Sequence, residues 1–204
     1  MKQQVFYIHG GNAFSDYQDY ISYLKTREIR DLPSSERTKK WSSTLAEDLG
    51  ENFEVFTPAM PNKQSAKYQE WKIWFERHFE YLSDNLILIG GSLGGYFLAK
   101  YLVENDLPFK LKTLIFLAAP FRNEDFGGED GGDFAFDTNM IGELAKKAEN
   151  ISFFHSKDDP VVPYEHALMY KKALPEAGLV TFEDKNHFLI EEFPELLNSI
   201  RKLS

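Results

Sequence analysis

Gly90-Gly91-Ser92-Leu93-Gly94 satisfies the pattern G-x-S-x-G. The apolar run Leu86 to Ile89 before it and the helical pattern through Tyr96 to Val103 after it place Ser92 on a strand-to-helix turn. Such a turn strains the backbone, and glycine at 90 and 94 removes Cβ atoms that would collide as the chain reverses. A hydroxyl there is presented at the carboxyl edge of a sheet, above a helix N-terminus whose N–H groups face any oxyanion formed. The chemistry this implies is nucleophilic attack on a carbonyl. It needs a base within hydrogen-bond reach of Ser92 and an acid to orient that base.

The chain offers five His. His9 follows the first strand run and His78 lies on an apolar helical stripe, positions where a lone His packs. For the order nucleophile, acid, base, only His166 and His187 come late enough. His166 falls inside the helix after Pro163, which ties its side chain down, whereas His187 follows the last strand run in the polar turn Glu183-Asp184-Lys185-Asn186. The acid is then one of two adjacent residues in His155-Ser156-Lys157-Asp158-Asp159-Pro160. Pro160 restrains Asp159 to an extended backbone and leaves Asp158 freer to cap or face water, which favours Asp159. Leu93, directly after the nucleophile, supplies one oxyanion N–H. The turn His9-Gly10-Gly11-Asn12 supplies the second, from Gly11 or Asn12.

These residues are positioned by six short apolar runs: Val5 to Ile8, Phe53 to Phe56, Leu86 to Ile89, Leu114 to Leu117, Ile151 to Phe154 and Leu179 to Phe182. Longer segments of helical periodicity separate them, a pattern that predicts an α/β fold of about six mostly parallel strands with helices on both faces. Ser15 and Gln18 form a capping-box pattern for a helix from Tyr17 to Lys25, and a second helix is expected from about Ser35 to Leu49. Trp71, Trp74, Phe75, His78, Phe79 and Leu82 form one stripe facing the sheet. Pro194 opens a last helix carrying Phe193, Leu196, Leu197 and Ile200 on one face. With no Pro- or Gly-rich linker between them, the elements read as one domain over residues 1–204.

Composition narrows the partners. The chain of 204 residues is 43% hydrophobic and 15% aromatic with a net charge of -9, a globular composition that argues against nucleic acid or an anionic membrane as partner. Cys is absent, which excludes disulfides, a thiolate nucleophile and Cys-ligated metal. No run approaches the roughly 20 apolar residues of a membrane span, and Val5 to Ile8 is too short for a signal segment, so a cytoplasmic location is expected. No cofactor or metal is implied, and the partner expected is a small acyl substrate.

His9-Gly10, the elbow at Ser92, Asp159-Pro160-Val161-Val162-Pro163 and Asn186-His187-Phe188 together resemble the α/β-hydrolase superfamily over essentially the whole chain. Small size and Pro58-Ala59-Met60-Pro61 followed by Tyr68 and Trp71 resemble the compact serine hydrolases grouped with the retinoblastoma-binding serine hydrolase. The resemblance implies Ser92 as nucleophile, Asp159 as acid, His187 as base, and an acyl group passed to Ser92 and then to water. It implies hydrolysis of a small ester, thioester or amide. An acyltransferase using the same residues and a scaffold with a degenerate site are the other readings. Many relatives carry His before the nucleophile where this chain has Gly91, a departure that opens the site. Without Cys the chain contains no L-x-C-x-E motif, so the retinoblastoma partner is not carried over.

From Asn123 to Asp137 the chain holds Glu124, Asp125, Glu129, Asp130, Asp133 and Asp137 and no Lys or Arg. Without these six, 26 acids face 23 Lys and Arg, so most of the net charge sits here. Residues 121–137, with four Gly and three Phe in their acidic stretch, read as a flap over the site. Phe121, Phe126 and Phe134, with Gly91, are then expected to contact substrate, and the flap to disfavour anions. A calcium loop is disfavoured because the spacing departs from the EF-hand pattern.

Overall fold

All six apolar runs become strands of one parallel sheet. In the computed structural model, which describes residues 2–29, 39–123 and 130–203, these are β1 (Gln3–Ile8), β2 (Phe53–Phe56), β3 (Leu86–Gly91), β4 (Leu111–Leu117), β5 (Ala148–Ser156) and β6 (Gly178–Phe182). Their order is β2-β1-β3-β4-β5-β6, and every pairing is parallel. Strand periodicity of two splits the apolar side chains between two cores. Phe6, Ile8, Leu86, Leu88, Leu114 and Phe116 enter one, and Val5, Tyr7, Ile87, Ile89, Ile115 and Leu117 the other. Burial on both faces explains why the central strands are continuous apolar runs.

Helices α3 (Tyr68–Glu76), α4 (Leu93–Glu104) and α5 (Glu165–Ala173) cover the first core. Helices α2 (Trp41–Leu49) and α6 (Pro194–Leu203) cover the second. Helix α1 (Tyr17–Thr26) buries none of its residues, and touches the body through Tyr20 and Tyr23 against Phe14. No helix among the described residues is long and apolar enough to cross a membrane.

Three local expectations change. Asp16, not Ser15, caps α1, its carboxylate accepting from Gln18 N–H at 2.6 Å. Helix α2 starts at Trp41 rather than near Ser35: Ser35 lies outside the described residues, residue 39 is not helical, and Lys40 is extended. The Trp71 to Leu82 stripe is also broken. Helix α3 ends at Glu76, a short 3-10 turn (Phe79–Tyr81) follows, and Trp74 is exposed. At 100° per residue Trp74 sits about 60° from Trp71, on the stripe's edge, whereas Phe75 points inward and stacks edge-on against Phe97 and Tyr101.

Candidate active site

The carboxyl ends of β1, β3, β5 and β6 bring together residues far apart in sequence. Ser92 leaves β3 in the left-handed region, φ 51°, and the next residue starts α4. Its neighbours have no room for a side chain. A Cβ on Gly94 would lie 2.3 Å from the Ile8 carbonyl oxygen, and one on Gly90 would lie 2.6 Å from Gly95 Cα. The elbow therefore depends on close backbone crossing as well as on the strained φ of Ser92, which costs about 1–3 kcal/mol.

Ser92 Oγ lies 2.9 Å from His187 Nε2, and His187 Nδ1 lies 2.7 Å from Asp159 Oδ2. The carboxylate accepts from Nδ1–H, which leaves Nε2 free to accept the Ser92 proton. Asp159 is held in turn, because its Oδ1 accepts the N–H groups of Val161 at 2.8 Å and Val162 at 3.0 Å. The adjacent Asp158 has a different task. Its Oδ1 accepts from Ser156 Oγ and from Asn186 N–H, tying the His187 loop to the end of β5. His187 stands between two residues of positive φ, Asn186 and Phe188. Phe188 is buried, stacks on Phe193 at 4.8 Å, and its carbonyl accepts from Trp41 Nε1 at 3.0 Å. One side of the His187 loop is thus anchored in the second core.

Three other histidines serve the framework. His9 donates from Nδ1 to the Gly10 carbonyl at 2.6 Å and accepts Met60 N–H on Nε2 at 2.9 Å, fixing the turn after β1. Burial holds its pKa below the ordinary value, so it is neutral near pH 7. His166 accepts Phe121 N–H on Nδ1 at 2.8 Å. His155, which sequence reasoning missed, is buried and donates from Nε2 to the Val162 carbonyl at 2.8 Å. Burial lowers its pKa as well. It braces the segment whose N–H groups hold Asp159, a link that requires the loop after β5 to fold back on the strand.

The two alternatives for the second oxyanion donor are now unequal. Asn12 N–H already donates to the Lys63 carbonyl at 2.8 Å, which leaves Gly11 of the pair. Gly10 lies directly over Ser92, where a Cβ would stand 2.9 Å from Ser92 Cβ.

A cavity of about 750 Å³ opens over these groups, lined by Gly10, Gly11, Gly91, Ser92, Leu93 and His187 among others. A second cavity, of about 840 Å³, lies beside Lys2, Gln3, Asn52 and Asn85 at the amino end of the strands and holds no nucleophile-base pair. Of the expected substrate contacts, Gly91 lines the first cavity and Phe126 lies outside the described residues. The other two are corrected. Phe134 is fully buried in the first core, edge-on to Trp71 at 5.3 Å and to Tyr68 at 5.9 Å. Phe121 packs on Tyr170 at 4.9 Å and is not among the described residues lining the cavity.

The described acids of the 121–137 segment do not line the cavity either. Asp130 accepts from Ser15 and Gly132 N–H, Asp133 from Tyr68 N–H at the start of α3, and Asp137 caps the 3-10 helix Thr138–Lys146. Their carboxylates satisfy backbone donors, a structural use that net charge alone does not reveal. Glu124, Asp125 and Glu129 lie outside the described residues. No group of three or more His, Cys, Asp or Glu among the described residues is arranged to hold a metal ion.

Residues 33–201 match the family model described as serine hydrolase. The chain belongs to the serine hydrolase family. This serine hydrolase has the α/β-hydrolase fold. It is similar to the ydeN gene product of B. subtilis, at 20% identity over 99% of this chain and 98% of that one, with a TM-score of 0.69. A meta-cleavage product hydrolase from Pseudomonas fluorescens shares 12% identity over 98% and 90% of the two chains at a TM-score of 0.66. A lipase-esterase related protein from Clostridium acetobutylicum shares 12% over 99% and 94% at 0.60. A search of the curated proteins gives no match.

In this serine hydrolase the space left by Gly91 is taken by Tyr7, whose hydroxyl would stand 3.0 Å from a Cβ at position 91. Burial raises the phenol pKa far above its ordinary value, so Tyr7 stays neutral beside Ser92. Gly91→Ala is expected to cost about 1 kcal/mol through crowding, and less when made in a Tyr7→Phe background. Urea unfolding of the two single variants and the double variant measures this coupling; strictly additive costs would remove Tyr7 as the cause.

Proposed function

We propose that this serine hydrolase cleaves a small carboxylic ester through an acyl-enzyme on Ser92. The observation that carries the reading is the continuous chain from Ser92 Oγ to His187 Nε2 at 2.9 Å and from His187 Nδ1 to Asp159 Oδ2 at 2.7 Å, with donors and acceptors in the sense the chemistry needs. Ser92 Oγ attacks the carbonyl carbon and passes its proton to Nε2, while Asp159 stabilises the imidazolium. The developing oxyanion accepts from Leu93 N–H, at the positive end of α4, and from Gly11 N–H. Collapse expels the alcohol, which takes the proton from Nε2. Water then enters by the same steps reversed and frees the acid.

A serine-to-histidine separation of hydrogen-bond length supports an enzyme over a scaffold, since a degenerate site has no reason to keep this spacing. The lipase-esterase name of one fold relative supports an ester as substrate.

A fluorophosphonate probe is expected to add one adduct mass to the folded protein, at Ser92, and none to the Ser92→Ala variant. Turnover of p-nitrophenyl esters of graded length then gives the acyl preference. Folded wild-type protein that remains unlabelled would end the hydrolase reading.

A further inference from the structure

We propose that the ester taken by this site carries a negative charge, on a carboxylate or similar anionic group remote from the scissile carbonyl. The inference rests on the hydrolase reading above and deepens it. Although the chain carries a net charge of -9, its cavity is lined by Arg27, Lys40 and Lys63, with Glu28 the one carboxylate among the described lining residues. A neighbouring cleft shares Tyr7, His9, Lys40 and Ser42 with the cavity and adds Lys39.

Six lysines elsewhere in the molecule pair with a carboxylate. Lys72, Lys100, Lys146, Lys147, Lys157 and Lys185 each lie within 4.0 Å of a carboxylate. Lys40 and Lys63 have no such partner among the described residues. Lys63 is near enough to His9 for its charge to add to burial in lowering that imidazole's pKa, so its field reaches the floor of the cavity. Arg27 sits over the Tyr23 ring at 5.5 Å, and both line the same opening. Unpaired cations at the mouth of an ester-binding cavity attract an anionic tail and orient it away from Ser92. Negative charge away from the cavity is screened beyond about 8 Å at physiological salt, while the rim cations meet the ligand directly. The described acids Asp130, Asp133 and Asp137 accept from backbone N–H groups and do not line the cavity.

The test compares two fluorophosphonates of equal length, one ending in a carboxylate and the other in its methyl ester, by the second-order rate of Ser92 labelling. Wild-type protein is expected to favour the carboxylate by about tenfold at low salt, with the ratio falling as sodium chloride rises. In Lys40→Gln/Lys63→Gln the ratio is expected to approach one. Equal or slower labelling by the carboxylate probe in wild type, or a ratio untouched by salt and by the double substitution, overturns this inference while leaving the hydrolase reading intact. No labelling by either probe overturns the hydrolase reading, and the inference with it.

Discussion

Asp159→Asn is expected to lower ester turnover by about 10⁴-fold while the fold persists. The amide Oδ1 still accepts the Val161 and Val162 N–H groups that Asp159 accepts now. The change is confined to the atom facing His187, where an acceptor becomes an NH₂ donor. His187 then meets that donor with an unprotonated Nδ1 and carries its proton on Nε2, where it can no longer take one from Ser92. Asp158→Asn is the internal control. Its carboxylate holds Asn186 N–H and Ser156 Oγ rather than the imidazole, so the expected loss is at most about tenfold, from a loosened loop. Steady-state kinetics of both variants decide the assignment. Equal losses would show that neither carboxylate has the orienting role to itself.

Phe134→Ala is expected to destabilise the protein by about 3–5 kcal/mol, the usual cost of deleting a buried phenyl ring. Phe134 is fully buried and sits among Tyr68, Trp71 and Phe97. Its neighbour Asp133 accepts from Tyr68 N–H at the start of α3, so loss of the ring also loosens a helix contact. Urea unfolding monitored by circular dichroism gives the cost. A loss under about 1 kcal/mol combined with altered substrate kinetics would return Phe134 to the cavity.

The contrast between these two positions shows what one dimension carries. The elbow was readable because its requirements are local: a strand ends, glycines flank a serine, and a helix begins. Asp159 was separable from Asp158 because the restraint from Pro160 is local too. The sheet was equally plain, since strands buried on both faces write themselves as uninterrupted apolar runs. Phe134 was misplaced for the opposite reason. Its neighbours Trp71 and Phe97 belong to α3 and α4, and only the packing of those helices creates the site it fills. His155 was missed likewise, because its partner carbonyl at Val162 reaches it only when the loop after β5 folds back. The use of Asp130, Asp133 and Asp137 is not legible in sequence, because a carboxylate capping a backbone N–H and one facing water have the same sequence signature.

Ser92 leaves the central strand β3, whereas His187, 95 residues later, follows β6, a strand that pairs with β5 alone. A chain whose first five strands have come together already holds Ser92 and Asp159, yet lacks His187 beside them. Parallel pairings are non-local and slow to form, and β6, one of the two edge strands, carries the proposed base. Under the proposed mechanism, turnover therefore requires β6 to be docked on β5.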